Sequence, residues 1–264
     1  MTAEPPPPTV PGAVVGVTNG RPLTLAWANE VGGLTYAFDG PAGDRRYVKW
    51  NPVGNGIDLA DEIARLRWAG QYTTVPHVLD RGIDNDGVWF VTQAIAGTSA
   101  VTERWKRSPA VAVRALGRGL REMHETLPAA ECPFSWSAAG RLAAVRKRAE
   151  AGSIDRLLWA DEHDHLSITG ALAVLADPPP ADRLVVCHGD ACSPNTVLGD
   201  DGAVTGHVDL GSLGIADRWA DLAVATWSTT WNYGPGWEAT LLDAYGIGPD
   251  EKRTRYYRLL WDLD

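Results

Sequence analysis

The sequence has few cysteines and no long apolar run, and both shortages exclude whole classes of protein. Its 264 residues include three cysteines, Cys132, Cys187 and Cys192. At these spacings they can build neither a disulfide framework nor a zinc site. No apolar stretch reaches the roughly 20 residues that cross a bilayer, and residues 1–8 lack the basic and apolar regions of a secretion signal. We therefore expect a cytoplasmic protein without membrane contact.

Basic side chains are the minority among the charged residues. The formal net charge of −9 reflects 24 basic against 33 acidic side chains, which argues against general binding to nucleic acid or anionic lipid. Most of the excess follows residue 150, where 18 acidic side chains outnumber 7 basic ones. Such a region is either a solvated acidic surface or a surface that receives a cation. Only four basic residues are lysines, so a lysine within a strand is a candidate for a specific role.

The hydrophobic pattern divides the chain into three parts. Residues 1–12, with four successive prolines, are predicted to form a mobile tail. Residues 13–96 contain short runs of β-branched and aromatic residues with one helix, and residues 97–264 are mostly helical by periodicity. This order predicts an α+β fold class, with a β-rich N-terminal lobe, a mainly helical C-terminal lobe and a cleft between them.

The individual elements follow from the spacing of apolar residues and from turn residues. The predicted strands are 23–27, 34–38, 46–50, 75–79, 88–92, 184–187, 196–198 and 203–208. The predicted helices are 58–69, 109–125, 138–151, 168–176, 217–227, 237–245 and 252–263.

The most specific chemical signal follows the predicted strand 184–187. His188 and Asp190 lie in the next loop, and Asn195 comes five residues after Asp190. One predicted hairpin later, Asp209 begins an Asp-Leu-Gly triplet. This spacing is that of the H-x-D-x-x-x-x-N and D-x-G segments of kinase active sites. It predicts Asp190 as the carboxylate that orients the acceptor hydroxyl and takes its proton, and Asn195 and Asp209 as Mg²⁺ ligands.

Phosphoryl transfer also requires a cation on the nucleotide phosphates. Lys49 ends a predicted strand and is the single lysine of residues 1–96. Glu62 lies in the following predicted helix, and a strand lysine with a helix glutamate forms the phosphate clamp of kinases. Asp61 is the competing acid. The sequence therefore predicts Lys49 and Glu62 as nucleotide-binding residues.

Two further nucleotide contacts are predicted from position alone. The Gln93 carbonyl and the Ile95 amide lie where the lobes should be linked, and a purine would bond to such backbone groups. Gly32 and Gly33 would form a loop over the phosphates. That segment lacks G-x-G-x-x-G, and an ordinary hairpin turn explains its spacing equally well.

These motifs resemble those of the aminoglycoside 3′-phosphotransferases, which have a protein-kinase-like fold. The most specific match is the run Gly-x-Ala-Asp-Arg-x-x-Asp-x-Ala over residues 214–223. The further matching segments are 48–49, 62–66, 132–134, 185–195 and 256–264. The resemblance covers about residues 25–264, nearly the whole chain.

The resemblance implies an activity, its co-substrates and its partners. The family transfers the γ-phosphoryl group of ATP or GTP, with Mg²⁺, to the 3′-hydroxyl of a cationic aminoglycoside such as kanamycin or neomycin, which confers antibiotic resistance. It implies a monomer or weak homodimer. It also implies that carboxylates bind the drug's ammonium groups: Asp262 of the last helix, Asp264 at the chain end and, more loosely, Asp161 and Glu162.

Several departures leave the acceptor open. Ser212 stands where the family usually has arginine, Ser193 where some members have a carboxylate, and segment 227–237 has no acid where relatives have several. The chain also ends on Asp264 rather than on an aromatic residue. A kinase of another small amine-bearing or macrolide alcohol therefore remains an alternative, and a non-catalytic pseudokinase is a second one.

A few residues outside the motifs also carry expectations. The aromatic residues of segment 227–237 could form a wall for a sugar ring or pack in the core. Asp221, amid apolar residues, is expected to anchor the loop of residues 188–195, which we call the catalytic loop. His163 and His165 lack the partners of a metal site and are expected to be solvent-exposed.

Overall fold

The computed structural model describes residues 8–29 and 31–264, which form two compact units. The first unit contains the described residues up to Arg67 together with Pro76–Ala94, and the second contains Trp68–Val75 together with Ile95–Asp264. Residues 68–75 thus belong to the second unit, although the sequence places them in the N-terminal lobe. In the described part of the chain, no helix is long and apolar enough to cross a membrane.

The first unit is built on a five-stranded antiparallel sheet with the strand order β1-β2-β3-β5-β4. Its strands are β1 (Thr24–Ala28), β2 (Leu34–Asp39), β3 (Arg45–Pro52), β4 (Val78–Ile83) and β5 (Gly87–Gln93). Its helices are α1 (Gly12–Val17) and α2 (Leu59–Ala69), of which the last two residues belong to the second unit.

Alternation along β2 explains one face of this sheet. Leu34, Tyr36 and Phe38 are buried on the same face, as expected for a period of two residues. Val14 of α1 is fully buried against them, and Val10 packs beside it. The predicted tail therefore extends too far: residues 8–12 include a packed segment and the start of a helix, whereas residues 1–7 lie outside the described part.

The second unit is mainly helical. Its helices are α3 (Glu103–Lys106), α4 (Pro109–Thr126), α5 (Ala138–Glu150), α6 (Ile168–Leu175), α7 (Trp219–Tyr233), α8 (Glu238–Tyr245) and α9 (Glu251–Leu263). Two small antiparallel sheets accompany them: β7 (Leu184–Cys187) with β10 (Gly214–Asp217), and β6 (Thr98–Ser99) with β8 (Thr196–Leu198) and β9 (Val204–His207). One large apolar core joins these helices and sheets.

The predicted α+β class is confirmed, and the errors are local. β4 begins later than predicted because Pro76 cannot donate to a ladder, and it continues through exposed polar residues because it is an edge strand. Residues 214–217, whose last residue was predicted to begin a helix, form β10, and α7 starts only at Trp219. Four residues paired to β7 show no period that a sequence reading could detect.

Close packing of α4 on α8 requires a glycine at position 117. A Cβ atom there would lie 2.4 Å from the Leu241 carbonyl oxygen and 2.9 Å from the Ala244 Cβ atom. We expect Gly117→Ala to lower the free energy of unfolding by about 1–3 kcal/mol, because the helices must separate. Denaturant unfolding measures this difference. Gly248→Ala is the control, since a Cβ atom there meets nothing within 4 Å; equal stability of the two variants would contradict the packing argument.

Candidate active site

The loop after β7 holds Asp190 in a network of backbone contacts. The Asn195 side-chain amide donates to the Asp190 carbonyl oxygen (3.0 Å), and the Asp190 amide lies 3.3 Å from His188 Nδ1. His188 Nε2 lies 3.0 Å from the Val208 carbonyl oxygen. An imidazole that accepts at Nδ1 and donates at Nε2 satisfies both contacts, so His188 joins the loop to the segment that leads to Asp209.

Asp221 anchors this loop from α7, as predicted. Its side chain is fully buried, and its two oxygens accept from the backbone amides of His188 (2.6 Å) and Gly189 (2.9 Å). His124 Nε2 lies 2.9 Å from the same carboxylate, and His124 Nδ1 lies 2.9 Å from the Tyr245 hydroxyl. Burial alone would raise the pKa of Asp221, but the His124 contacts and the loop amides hold it below its ordinary value.

Gly189 lets two loops approach each other. Its φ is +84°, and a Cβ atom there would lie 2.2 Å from the Ser212 carbonyl oxygen. Only glycine fits this conformation and this contact. The catalytic loop and the loop that follows Asp209 therefore pack backbone to backbone.

Asn195 and Asp209 have the right chemistry for Mg²⁺. The Val208 amide donates to the Asn195 carbonyl oxygen (2.9 Å), which brings the segments of the two residues together. Asp209 has φ of +61°, a left-handed conformation that non-glycine residues adopt rarely and often at functional sites. A carboxylate and a carboxamide oxygen are hard ligands of the kind that Mg²⁺ accepts. These two residues fit the ion.

Another cluster, His124, Cys187 and Asp221, brings three potential ligand atoms within 4.8 Å of one another. Its members have other partners. His124 and Asp221 bond to each other, and burial raises the pKa of the Cys187 thiol well above its ordinary value. A protonated thiol is a poor metal ligand, so this cluster is structural.

In the first unit, Lys49 of β3 pairs with Glu62 of α2. The Lys49 Nζ atom lies 2.7 Å from Glu62 Oε2, with the glutamate side chain 8% exposed. Asp61, the competing acid, is 72% exposed and lies 3.6 Å from Arg65 instead. Glu62 is therefore the acid that orients Lys49, and the role of this pair toward phosphates stays a prediction.

The other predicted nucleotide contacts are backbone positions. Gly32 has φ of +85°, and the Gly33 amide donates to the Asn29 side chain (2.6 Å), which closes the turn between β1 and β2. Gln93 ends β5, and Ile95 begins the second part of the second unit. The turn needs both glycines for its own geometry, and a phosphate role for Gly32 and Gly33 stays a prediction.

The carboxylates that were predicted to bind ammonium groups fall into two sets. Some have hydrogen-bond partners inside the protein, and others are exposed to solvent. Asp262 accepts from His163 Nδ1 (2.5 Å) and the Ala160 amide (3.0 Å), and its side chain is 7% exposed. Asp264 pairs with the buried Arg141 (2.5 Å). The side chains of these two residues have internal partners, and their role as ammonium ligands stays a prediction. The expectation that His163 is exposed was wrong, because Asp262 pairs with it inside the protein.

Glu162 and Glu238 are available carboxylates in this region. Glu162 is 43% exposed and lies 3.8 Å from Arg258, and Glu238 is 44% exposed and lies 3.1 Å from the same guanidinium. Asp161 is exposed. Glu238 was missed because acidic residues were sought only within segment 227–237, and Glu238 is the next residue. The signal that could have found it is its position in the first turn of α8.

The comparisons with known proteins agree with this geometry. A profile described as the phosphotransferase enzyme family matches residues 28–257. The chain belongs to this family. It is 35% identical to an aminoglycoside 3′-phosphotransferase of Streptomyces fradiae over 219 residues, which cover 79% of this chain and 81% of the relative.

Two solved structures of the family show the same fold. An aminoglycoside 3′-phosphotransferase of type VIII superposes with a TM-score of 0.83 at 30% identity, covering 96% of this chain and 97% of that one. A 3″ aminoglycoside phosphotransferase of Streptomyces rimosus, in complex with ADP and streptomycin, has a TM-score of 0.72 at 27% identity, covering 90% and 91%. The predicted protein-kinase-like fold is thereby confirmed. Because similar proteins act at different positions, the comparisons do not fix the hydroxyl that this chain would phosphorylate.

His207, next to the catalytic loop, makes folding sensitive to acid. Its imidazole is buried, and its ring centre lies 5.9 Å from that of His188. Burial, with the nearby His188, lowers the pKa of His207 from 6.5 to about 3. The unfolded chain therefore binds a proton below about pH 6.5 that the folded protein excludes until about pH 3.

We expect the free energy of unfolding to fall as pH drops from about 6.5 toward 3, and His207→Gln to flatten this slope by about one proton. Denaturant unfolding at a series of pH values measures the slope. His77→Gln, at an exposed position, controls for loss of a histidine. An unchanged slope in His207→Gln would contradict the assignment.

Proposed function

We propose that the protein is an aminoglycoside O-phosphotransferase that moves the γ-phosphoryl group of ATP or GTP to the 3′-hydroxyl of its acceptor. The observation that carries this proposal is the anchored loop with Asp190, joined through Val208 to the segment of Asn195 and Asp209. Membership of the family and the 35% identity to a 3′-phosphotransferase support the acceptor class and the position.

Asp190 is the residue that would handle the proton. Its Oδ1 atom is buried and has no hydrogen-bond partner among the described residues, as a carboxylate awaiting a hydroxyl donor would be. As the acceptor oxygen forms its bond to the γ-phosphorus, the bond to the β-phosphate oxygen breaks and the hydroxyl proton passes to Asp190.

Phosphate charge would be handled by three further side chains. Asn195 and Asp209 would hold Mg²⁺, which when bound neutralises charge that develops on the phosphates. Lys49 would bind the nucleotide phosphates, and Glu62 holds the Lys49 ammonium group in place.

Ammonium groups of the acceptor would bind to exposed carboxylates of the second unit. The candidates are Asp161, Glu162 and Glu238.

The position of transfer is tested by the product. An assay with ATP or GTP over a panel of aminoglycosides, followed by NMR of the phosphorylated product, should place phosphate on the 3′ oxygen of kanamycin. Phosphate at 3″ of streptomycin alone would overturn the 3′ assignment and keep the acceptor class. Turnover of choline or a macrolide but of no aminoglycoside would overturn the acceptor class.

Asp190→Asn should lower kcat by roughly 10²- to 10⁴-fold, because an amide cannot take the acceptor proton. The KM values for both substrates should change little, since the shape of the loop is kept. Steady-state kinetics with kanamycin and ATP measure both parameters. Asp243→Asn, on the exposed face of α8, is the matched control. Retention of most of the turnover by Asp190→Asn would exclude Asp190 as the base.

Lys49→Ala should lower kcat/KM for the nucleotide by about 10- to 100-fold, because a charge-assisted hydrogen bond to phosphate contributes roughly 1.5–3 kcal/mol. Titration of the nucleotide at saturating acceptor measures the effect. Lys106→Ala removes an exposed lysine of the second unit and should leave the nucleotide kinetics unchanged. Equal kinetics of the two variants would argue against a phosphate role for Lys49.

A further inference from the structure

We propose that the indole of Trp231 is a stacking surface for one sugar ring of the acceptor, a ring other than the one that receives phosphate. The inference rests on the proposed function and adds a specificity-determining residue to it. It also implies that the acceptor carries at least two rings.

Trp231 is the aromatic side chain of segment 227–237 that remains available. Its side chain is 52% exposed, whereas Trp227 is 7% exposed. The Tyr233 hydroxyl donates to the Ala100 carbonyl oxygen (2.7 Å), and Trp237 packs against the core. A half-exposed indole on an ordered helix offers a large apolar face at little entropic cost.

The position of Trp231 on α7 brings it toward the catalytic loop. The Ser228 hydroxyl accepts from the Ser193 amide (2.8 Å), three residues after Asp190. Trp231 lies three residues after Ser228, so the two share one face of the helix. Asn232 on the same face donates to the Ser228 carbonyl oxygen (2.8 Å). One helical turn thus separates the indole from the residue that contacts the loop.

The surroundings of Cys192 also indicate that α7 lies close to the loop with Asp190. Burial raises the pKa of its thiol well above its ordinary value, and the Asp190 carboxylate raises it further, while the Ser228 hydroxyl acts in the opposite direction. The thiol is therefore near both Asp190 and Ser228. An acceptor whose hydroxyl reaches Asp190 would extend along this side of α7.

The aromatic pair of Trp227 and Trp231 is held in place before any ligand binds. The two ring centres are 5.0 Å apart, and the ring planes are tilted by 41° to each other. The Arg258 guanidinium lies 5.3 Å from the Trp227 ring centre, and the His163 ring centre lies 5.9 Å from it in an edge-to-face arrangement. Arg258 also bonds to the Ala223 carbonyl oxygen of α7 (3.3 Å). A preorganised surface loses little freedom on binding.

The charge around this aromatic pair is complementary to that of a cationic sugar. Glu162 and Glu238 share the single guanidinium of Arg258, so the group keeps a net negative charge next to Trp227. Both carboxylates are more than 40% exposed. An amino sugar offers an apolar C–H face for the indole and an ammonium group for a carboxylate.

The test compares Trp231→Ala and Trp231→Phe with the wild type. Trp231→Ala should raise the KM for kanamycin about 2- to 13-fold, which corresponds to a stacking contribution of roughly 0.5–1.5 kcal/mol. Its kcat and its KM for ATP should stay within twofold, and Trp231→Phe should restore most of the lost affinity. For a one-ring acceptor, the methyl glycoside of 6-amino-6-deoxyglucose, Trp231→Ala should change nothing.

Trp27→Ala, which removes an indole 65% exposed in the first unit, is the matched control. If Trp231→Ala keeps the wild-type KM for kanamycin, the stacking surface is wrong; if the one-ring acceptor loses affinity equally, the assignment to a second ring is wrong. Calorimetric titration with kanamycin keeps the two proposals apart. A wild type without turnover on any aminoglycoside rejects the proposed function, whereas equal Kd values for wild type and Trp231→Ala reject the stacking surface.

Discussion

The carboxylate of Asp221 is the contact on which the second unit's site depends. It is fully buried, yet it accepts hydrogen bonds from two successive loop amides and from His124. Burial of a carboxylate costs free energy unless its oxygens accept hydrogen bonds. Here two of the donors are backbone amides of the loop that leads to Asp190. The same interaction therefore stabilises the charge and fixes the loop.

This arrangement explains how a short loop can hold the side chain of Asp190 in place. Gly189 lets the loop approach the Ser212 backbone, and His188 connects the loop to Val208. The loop is thus tied to α7 and to the segment before Asp209, so few conformations remain open to Asp190. Positioning of this kind is what phosphoryl transfer requires from a protein, since the protein does little covalent chemistry itself.

The sequence could predict the features that depend on residues close to one another in the chain. The alternation of Leu34, Tyr36 and Phe38 predicts β2, and the H-x-D-x-x-x-x-N spacing predicts the loop. It could not predict α1, a six-residue helix with two glycines, which forms because Val14 packs on the sheet. The partners of Asp262 and Asp264 lie 99 and 123 residues away in the chain. Contacts at such separations leave no periodic trace, so these carboxylates looked available.

The sharing of Arg258 by Glu162 and Glu238 has a consequence for which side chains can be exchanged without loss of the fold. The groups that hold the loop are buried and bond to backbone, so substitution there endangers the fold. Glu162 and Glu238, in contrast, are half-exposed side chains that pair with one guanidinium, and exchange of either glutamate would leave the other to pair with it. Single substitutions on this surface therefore leave the buried contacts of the loop unchanged.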